Sequence, residues 1–349
     1  MKAVFKTEKR PGIDLLEMDV PVPREGEILV KVGACGLCGT DLSIFEWKTA
    51  GPGYRWLDRS VRIPVVLGHE FAGEVVEVGA NVDGIRVGDR VTASPVRPCG
   101  ECAACLSGKR RSCANSTLGM YVHGAMAAYV RLKGADQIYP LPEHVSWEVG
   151  ALMEPVSVAV HGMHLSRIIP GEPAVIFGPG PIGLLLLLVL KASGAGPIGV
   201  LGTGGDKERM RLAEELGAHF VLDVGDEKIL EGVILATKGL RPKVAYEASG
   251  NPVAIPLALK ILNGGGRLVL LGMYRSSAEF NPLELVMTGK TIIGSVAYDE
   301  ASWSRAHTLV STGVPGLERI ITHCLPLEEA NKGFELAARR EAIKVVFIP

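Results

Sequence analysis

One group of residues in this chain has the side chains of a catalytic metal site. It consists of Cys38 in a glycine-rich turn, the adjacent pair His69 and Glu70, and Glu154 further along the chain. One thiolate, one imidazole and one carboxylate can hold zinc with an open coordination position. Zinc held in this way polarises a substrate oxygen and lowers its pKa. The predicted chemistry is formation of an alkoxide near neutral pH, from which a carbon-bound hydride can leave.

Each of these residues also has an ordinary explanation when it is taken alone. Cys38 forms a Cys-x-x-Cys pair with Cys35, which is compatible with a redox dithiol, half of a zinc site or two buried thiols. His69 and Glu70 fit a strand edge, and Glu154 fits a helix start. Their joint occurrence with a cofactor site favours zinc, and Cys35 is then expected to be a buried neighbour.

A second group of ligands is formed by four cysteines close together in the sequence. Four thiolates close a tetrahedron around zinc and leave no open position, so the predicted role is structural. An iron–sulfur centre and an uncommitted cysteine-rich loop are the alternatives, whereas the charge balance disfavours a zinc ribbon that reads DNA. The predicted structural ligands are Cys99, Cys102, Cys105 and Cys113. Two zinc ions per subunit are therefore expected.

A glycine-rich turn at residues 178–183 directly follows a short apolar run and opens a helix-like run. In that context Gly-x-Gly-x-x-Gly predicts a dinucleotide site, although a Gly-Pro loop without special purpose is the alternative. The first glycine makes the turn, the second lets the pyrophosphate approach the backbone, and the third lets helix and strand pack closely. Amides at the helix N-terminus then hold the phosphate. The predicted contacts are Gly178, Gly180, Pro181, Ile182 and Gly183.

The next strand-like run bears on the choice between NAD and NADP. An NAD site places an acidic residue about 20 positions after the glycine-rich turn, where it accepts a hydrogen bond from the ribose 2′-hydroxyl. This chain has Thr203, Gly204 and Gly205 near that point and the basic Arg209 just beyond them. A small, uncharged site beside a basic side chain accommodates a 2′-phosphate, which favours NADP slightly. Asp206 lies only a little further on and leaves NAD open.

Two kinds of folding unit must position these residues. From Met1 to about Leu141, short β-type runs broken by Gly and Pro predict an all-β, barrel-like unit. From about Val156, apolar strand-like runs such as 174–177 and 244–247 alternate with helical runs such as 207–216. This alternation predicts an α/β unit with a doubly wound parallel sheet. The predicted boundaries are 1–155 with the metal lobe at about 95–115, then 156–297, then 298–349 as a return to the first unit.

Composition excludes several classes of partner. With 37 basic and 38 acidic residues, the net charge of −1 gives no footprint for nucleic acid or an anionic membrane. The basic run at 109–111 fits a solvated loop. The apolar run at 184–190 is too short to span a bilayer and predicts a buried helix. Without signal-peptide features a cytoplasmic location is expected, where the seven cysteines favour metal sites over disulfides.

Together these motifs resemble the zinc-dependent medium-chain alcohol dehydrogenase superfamily over nearly the whole chain, most closely its polyol and threonine branches. The resemblance implies a GroES-like β-barrel catalytic domain interrupted by a Rossmann domain, in a homodimer or homotetramer. It implies that Thr40 relays the alcohol proton, that Glu154 is the carboxylate ligand, and that Glu70 is a direct or water-mediated zinc neighbour. Further residues that it places beside the cofactor are Ser249, Gly250, Gly272, Met273, Val296 and Lys344.

The chain departs from this pattern at one position. Relatives commonly carry a histidine five residues after the zinc cysteine as the outer step of the proton relay, and this sequence has Ser43. Either Ser43 and a water replace that step, or the proton leaves by another route. His161 and His164 follow Glu154 at helical spacing, but histidines in such positions are more often structural groups.

The leading hypothesis is an NAD(P)-linked dehydrogenase that reversibly oxidises a secondary alcohol of a small polyol or sugar to a ketone. An L-threonine 3-dehydrogenase, acting on an amino alcohol, is the alternative within the family. A catalytically silent regulator that binds zinc and nucleotide is the alternative of another class, and the full set of zinc donors disfavours it. Aromatic residues that could shape the pocket, or equally pack against neighbours, are Phe45, Trp47, Tyr54, Trp56 and Tyr298.

Overall fold

The computed structural model describes residues 1–48, 57–108, 113, 117–134 and 138–349. Tyr54, Trp56 and the basic run at 109–111 lie outside the described residues, so what was expected of them stays a prediction. The strands are β1 (Lys2–Lys6), β2 (Asp14–Glu17), β3 (Glu27–Gly36), β4 (Val65–Val66), β5 (Glu70–Val78), β6 (Arg90–Ala93), β7 (Tyr129–Lys133), β8 (Ile138–Pro140), β9 (Ala174–Phe177), β10 (Ile198–Gly202), β11 (Phe220–Asp223), β12 (Val244–Glu247), β13 (Arg267–Leu270), β14 (Thr291–Gly294), β15 (Ile321–Pro326) and β16 (Lys344–Ile348). The helices are α1 (Gly39–Glu46), α2 (Leu57–Ser60), α3 (Ala103–Leu106), α4 (Trp147–Ala151), α5 (Met153–Ser166), α6 (Pro181–Ala192), α7 (Lys207–Glu215), α8 (Ile229–Ala236), α9 (Ala254–Ile261), α10 (Pro282–Thr288), α11 (Glu300–Thr312) and α12 (Ala330–Ala338).

The first part of the chain forms two sheets, and the larger of them also includes the last strands of the chain. The smaller has the strand order β2-β1-β4, and the larger has the order β15-β16-β3-β5-β6-β8, with β7 also paired to β3. The long strand β3 pairs antiparallel with β5, β7 and β16. Because β3 leads directly into α1, this sheet brings the start of β5 and the start of β16 beside the turn that carries Cys38.

The third sheet is parallel and has the order β11-β10-β9-β12-β13-β14. The chain winds outward from β9 through β10 to β11 and then crosses back to β12, so the strand order reverses between β9 and β12. A doubly wound sheet binds ligands in the crevice beyond the carboxyl ends of its strands at such a point. The α/β fold predicted from the alternating pattern is confirmed.

Buried apolar side chains hold these layers together. One cluster packs α5, α6 and α11 against the parallel sheet and fully buries Trp303. The apolar run at 184–190 is buried within α6, which confirms the predicted buried helix. Among the described residues, none of the helices has the length and apolarity needed to cross a membrane.

Three aromatic residues considered for the substrate pocket make packing contacts with neighbouring side chains. Trp47 is buried in the core of the β unit, with the ammonium of Lys6 5.1 Å from the centre of its ring. Phe45 lies against Phe334, with ring centroids 5.1 Å apart. Tyr298 is buried against Trp303 at 5.0 Å and belongs to the cluster around α11. These contacts agree with the alternative given in the sequence analysis, in which such aromatic residues pack against their neighbours.

Candidate active site

The helix cap at the start of α1 sets the position of Cys38. Cys38 is the N-cap residue, with extended backbone (φ −92°, ψ 156°), and its Sγ accepts a hydrogen bond from the backbone N–H of Thr40 at 3.5 Å. Asp41, in the first turn, accepts a hydrogen bond from the backbone N–H of Cys38 at 3.1 Å. These reciprocal bonds form a capping box, so the fold of the turn fixes the direction of the sulfur.

His69 and Glu70 reach the same place from the neighbouring strand. Glu70 begins β5 and lies opposite Gly36 at the end of β3, two residues before Cys38. One ligand atom from each of Cys38, His69 and Glu70 lies within 4.8 Å of the other two. His69 and Glu70 are both buried. The structure therefore brings together three of the four predicted ligands of the catalytic zinc.

Glu154, the fourth predicted ligand, lies in the first turn of α5 and is also buried. It is not among the three residues whose ligand atoms meet within 4.8 Å. Its charge nevertheless acts on the site, since it contributes to raising the pKa of His69. Burial raises the pKa of Glu154 itself to about 7, with Glu70 adding to the rise and Lys344 opposing it.

The electrostatics of this cluster fit a bound cation. Although burial opposes it, the charges of Asp41 and Cys38 raise the pKa of His69 well above its usual range, so the surroundings favour positive charge on or beside the ring. The Nδ1 atom of His69 is buried, has no hydrogen-bond partner among the described residues and lies 3.6 Å from Oδ1 of Asp41. Buried carboxylates are costly unless a counter-charge is present, and a divalent cation supplies one. The donor set of thiol, imidazole and carboxylate suits zinc.

Two basic residues expected beside the cofactor have different surroundings. The ammonium of Lys344 is buried, where it donates to the carboxylate of Glu70 and to the carbonyl of Leu37 at 2.9 Å. Lys344 therefore lies in the metal-ligand cluster. Arg209 lies at the glycine-rich turn, with one guanidinium nitrogen 3.9 Å from where a Cβ of Gly180 would be.

The residues considered for proton transfer are placed as follows. Thr40 is half-buried in the first turn of α1, beside Cys38. The hydroxyl of Ser43 donates to the carbonyl of Gly39 at 3.1 Å, one helical turn back. His161 lies between α5 and α11, with its Nδ1 atom 3.1 Å from the hydroxyl oxygen of Ser302. The proton of Ser43 is thus held by the backbone of its own helix.

The four cysteines of the second group converge. The Sγ atoms of Cys102 and Cys105 are 3.5 Å apart, those of Cys99 and Cys113 are 3.5 Å apart, and those of Cys99 and Cys105 are 3.9 Å apart. Tetrahedral zinc with four thiolates at about 2.3 Å requires sulfurs separated by about 3.8 Å. Hydrogen bonds from the backbone N–H groups of Glu101 and Cys102 lower the pKa of Cys99 to about 6, which favours the thiolate that zinc needs. This geometry fits the predicted structural zinc.

The glycine-rich turn forms a cradle between β9 and α6. Gly178 has φ +96°, and a Cβ there would lie 2.8 Å from the Cβ of Ser249. A Cβ on Gly183 would lie 2.0 Å from the carbonyl oxygen of Gly178, so helix and turn pack too closely for a side chain. At Gly180, by contrast, a Cβ would meet nothing closer than Nη1 of Arg209 at 3.9 Å, and Pro181 follows it as the first residue of α6. A turn with free space at its second glycine fits the pyrophosphate of a dinucleotide.

A buried carboxylate that sequence reasoning missed organises the opposite wall of this crevice. Glu247, at the end of β12, accepts hydrogen bonds from the backbone N–H groups of Ser249 at 2.9 Å and Gly250 at 3.1 Å, and from the hydroxyl of Tyr274 at 2.5 Å. It thereby joins the loops that follow β12 and β13. An acidic residue that ends an apolar strand just before a Ser-Gly turn was the available signal. The exposed members of the predicted cofactor set on this side are Ser249, Met273 and Val296.

Asp206, the acidic residue near the expected ribose site at the end of β10, already has hydrogen-bond and ion-pair partners within the protein. Thr203 and Gly204 are exposed, whereas Asp206 is buried. One carboxylate oxygen of Asp206 accepts hydrogen bonds from the backbone N–H of Thr203 at 3.0 Å and from its hydroxyl at 2.7 Å. The other oxygen contacts the guanidinium of Arg340 at 2.5 Å.

Comparison with known proteins now decides the family. A model described as "Alcohol dehydrogenase GroES-like domain" matches residues 24–143, and one described as "Zinc-binding dehydrogenase" matches residues 181–312. The L-threonine 3-dehydrogenase of Bacillus subtilis is 36% identical over 352 residues, which cover 100% of this chain and 99% of that protein. The chain belongs to the zinc-dependent medium-chain alcohol dehydrogenase superfamily. The resemblance and the class of enzyme predicted from the motifs are confirmed.

Solved structures agree over the full length of this dehydrogenase. A structure described as a zinc-binding dehydrogenase of Sinorhizobium meliloti, bound to NADP, superposes with a TM-score of 0.89 at 30% identity and covers 100% of this chain and 99% of its own. The 2R,3R-butanediol dehydrogenase of Bacillus subtilis superposes with a TM-score of 0.86 at 29% identity, with the same coverage. The chain is an oxidoreductase that acts on a CH–OH group with zinc and a nicotinamide cofactor. The individual ligands and the domain boundaries stay predictions.

Proposed function

We propose that this dehydrogenase oxidises a secondary alcohol of a small polyol or sugar to the ketone, reversibly, with transfer of hydride to NADP. The observation that carries the proposal is the meeting of Cys38, His69 and Glu70 within 4.8 Å, in a chain that also forms a glycine cradle. Zinc bound by these residues would polarise the substrate oxygen and lower its pKa. A regulator without catalysis has no need for such a donor set.

The protein's own residues divide the remaining work. In this proposal Cys38, His69 and Glu154 are the protein ligands, and Glu70 is a direct or water-mediated neighbour of the metal. Burial of His69, Glu70 and Glu154 keeps water away from these groups, which strengthens the charge interactions at the reacting centre. Thr40, in the capped first turn of α1, accepts the alcohol proton.

Beyond Thr40 the path of the proton depends on Ser43. Its hydroxyl donates to the carbonyl of Gly39, so its oxygen can still accept a hydrogen bond. To pass a proton on, the hydroxyl must turn away from that carbonyl towards a water. The pH–rate profile of Ser43→Ala decides between this route and another exit, because only loss of a relay step moves the profile.

Three observations support NADP as the preferred cofactor. Glycine stands where an NAD site places its acidic residue, and the nearby Asp206 is occupied by Thr203 and Arg340. Arg209 contributes a guanidinium beside the cradle. The Sinorhizobium meliloti relative was solved with NADP bound.

L-Threonine is the second candidate substrate, because the Bacillus subtilis protein that is 36% identical over its full length is an L-threonine 3-dehydrogenase. A panel of polyols, sugars and L-threonine, assayed with NADP and with NAD on zinc-loaded protein, separates the candidates. The leading proposal predicts turnover of a polyol or sugar with NADP. Turnover confined to L-threonine would replace it with the second candidate, and no zinc-dependent turnover of any alcohol would contradict both.

We also propose two zinc ions per subunit and assembly into a homodimer or homotetramer. The convergence of the four sulfurs supports the second zinc. Helix α10 and strand β14 support self-association. The helix exposes the apolar side chains of Leu283, Val286 and Met287 and leads into β14, which among the described residues is the end strand of the parallel sheet. Metal analysis and light scattering on the purified protein measure both quantities.

A further inference from the structure

Arg340 occupies the turn between α12 and β16 in a conformation that disfavours arginine. Its backbone has φ +63°, in the left-handed region that glycine adopts without strain and other residues adopt at a cost. A turn that served only to connect α12 with β16 would be formed best by glycine. Strained backbone at a side chain with a specific partner is a reason to look for function.

The partner of Arg340 is Asp206, 134 residues earlier in the chain. Because Asp206 is held by Thr203 at the end of β10, it also fixes the guanidinium of Arg340 there. The side chain of Arg340 remains 64% exposed, whereas that of Asp206 is only 4% exposed. The group of this ion pair that a ligand can reach is therefore the guanidinium of Arg340. A carboxylate oxygen of Asp223, at the end of β11, lies 3.5 Å from where a Cβ of Gly204 would be. Because that carboxylate repels an anion, a phosphate is favoured beside Arg340 rather than beside Asp223.

A second guanidinium holds the turn in place. Nη2 of Arg209 donates to the carbonyl of Arg340 at 3.0 Å and to that of Ala342 at 2.7 Å. Its Nη1 lies 3.9 Å from the Cβ position of Gly180, in the cradle. Arg209 thus joins the turn of Arg340 to the phosphate-binding loop. Burial and the positive charge of Arg340 both lower the pKa of Arg209, which shows that the two cations repel each other.

We propose that Arg340 binds the 2′-phosphate of NADP, together with Arg209, in a subsite that the C-terminal segment completes. The inference rests on the proposed use of NADP. A guanidinium makes bidentate, charge-assisted hydrogen bonds to a phosphate, and the 2′-hydroxyl of NAD offers no such anion. Arg340 is therefore a specificity-determining residue outside the glycine motif and outside the strand end that normally selects the cofactor.

Isothermal titration calorimetry with 2′,5′-ADP and 5′-AMP isolates the 2′-phosphate without any catalytic turnover. Arg340→Gly suits the left-handed turn and removes the cation. It is expected to weaken binding of 2′,5′-ADP and NADPH by about 10-fold or more, the effect of losing a charged hydrogen bond. Binding of 5′-AMP and NADH should stay unchanged. Arg339→Ala is the matched control, because this neighbouring arginine pairs with Glu335 on α12.

The outcomes separate this inference from the proposal on which it rests. If the unmodified protein prefers 2′,5′-ADP and Arg340→Gly keeps that preference, the role of Arg340 is overturned while NADP stands. If the unmodified protein binds both nucleotides equally, the proposed NADP preference fails and the role of Arg340 fails with it. Arg340→Gln, which keeps a long side chain able to hydrogen-bond Asp206 but lacks the charge, must lose the preference as well. Retention of the preference by Arg340→Gln would contradict a charge-based role.

Discussion

Alanine substitutions at two glycines of the cradle should separate cofactor binding from folding. A Cβ on Gly183 would lie 2.0 Å from the carbonyl oxygen of Gly178 and 3.1 Å from its carbonyl carbon. The obstruction is backbone, so no side-chain rotation relieves it, and helix and turn must separate by about 1 Å. Overpacking of this kind costs about 1–3 kcal/mol of folding free energy. Gly183→Ala should therefore lower both the thermal midpoint and the affinity for NADPH.

Gly180→Ala should behave differently. The nearest protein atom to its added Cβ is Nη1 of Arg209 at 3.9 Å, and the backbone at Gly180 (φ −79°, ψ −177°) is extended and open to any residue. Stability should stay unchanged or rise by about 0.4–1 kcal/mol, because alanine restricts the unfolded chain. The methyl group would project into the space proposed for the pyrophosphate. A loss of NADPH affinity of about 10- to 100-fold, or about 1.4–2.8 kcal/mol, is expected.

NADPH fluorescence titration and thermal unfolding of each variant test this pair. Gly264→Ala is the control, because its Cβ would lie 3.7 Å from the nearest atom, the carbonyl oxygen of Thr288, at the amino end of β13. The control should change neither quantity by much. Binding of NADPH by Gly180→Ala with unaltered affinity would refute the cradle as the pyrophosphate site.

Three further perturbations test other parts of the site. Asp41→Asn removes the buried charge that lies 3.6 Å from Nδ1 of His69. Zinc binding, measured by chelator competition, should weaken by about 10- to 100-fold. An unchanged zinc affinity would contradict a role of Asp41 in orienting His69. Cys102→Ser should lower the zinc content by one ion per subunit and spare NADPH binding, and an unchanged metal content would argue against the structural zinc. Nδ1 of His123 accepts the backbone N–H of Val66 at 3.0 Å, and burial lowers the pKa of His123 below 6.5. The unfolded chain then binds more protons than the folded one, so stability is lost as pH falls below about 6.5. His123→Asn keeps an acceptor for this N–H and should remove the loss, as measured by thermal unfolding against pH. A His123 pKa of 6.5 or above by NMR would contradict this prediction.

The parallel sheet was the most predictable part of the fold. Ala174–Phe177 and Val244–Glu247 have the bounds that the sequence predicted. For Ala174–Phe177 the reason is that a strand buried on both faces is continuously apolar, and this one ends where glycine begins. The expected helix at 207–216 ends one residue earlier, at Glu215. Helix ends fray within such limits.

Contacts between distant parts of the chain were beyond sequence reasoning. Lys344 was expected beside the cofactor, yet strand pairing of β16 with β3 places its ammonium on Glu70. The pairing of Arg340 with Asp206 likewise depends on how the last segment packs against β10. Residue types and local spacing reveal donors and turns, whereas tertiary packing decides which of them meet. For the same reason Trp47, a plausible pocket residue by its position in the sequence, lies in the core.

The central claim is that this dehydrogenase transfers hydride with zinc held by Cys38. The most direct test measures reduction of NADP by the substrate panel with zinc-loaded protein, chelator-treated protein and Cys38→Ser. Chelation should remove turnover and added zinc should restore it, and Cys38→Ser should lose turnover but bind NADPH with unaltered affinity. Turnover that persists in Cys38→Ser, or after complete removal of zinc, would contradict this claim.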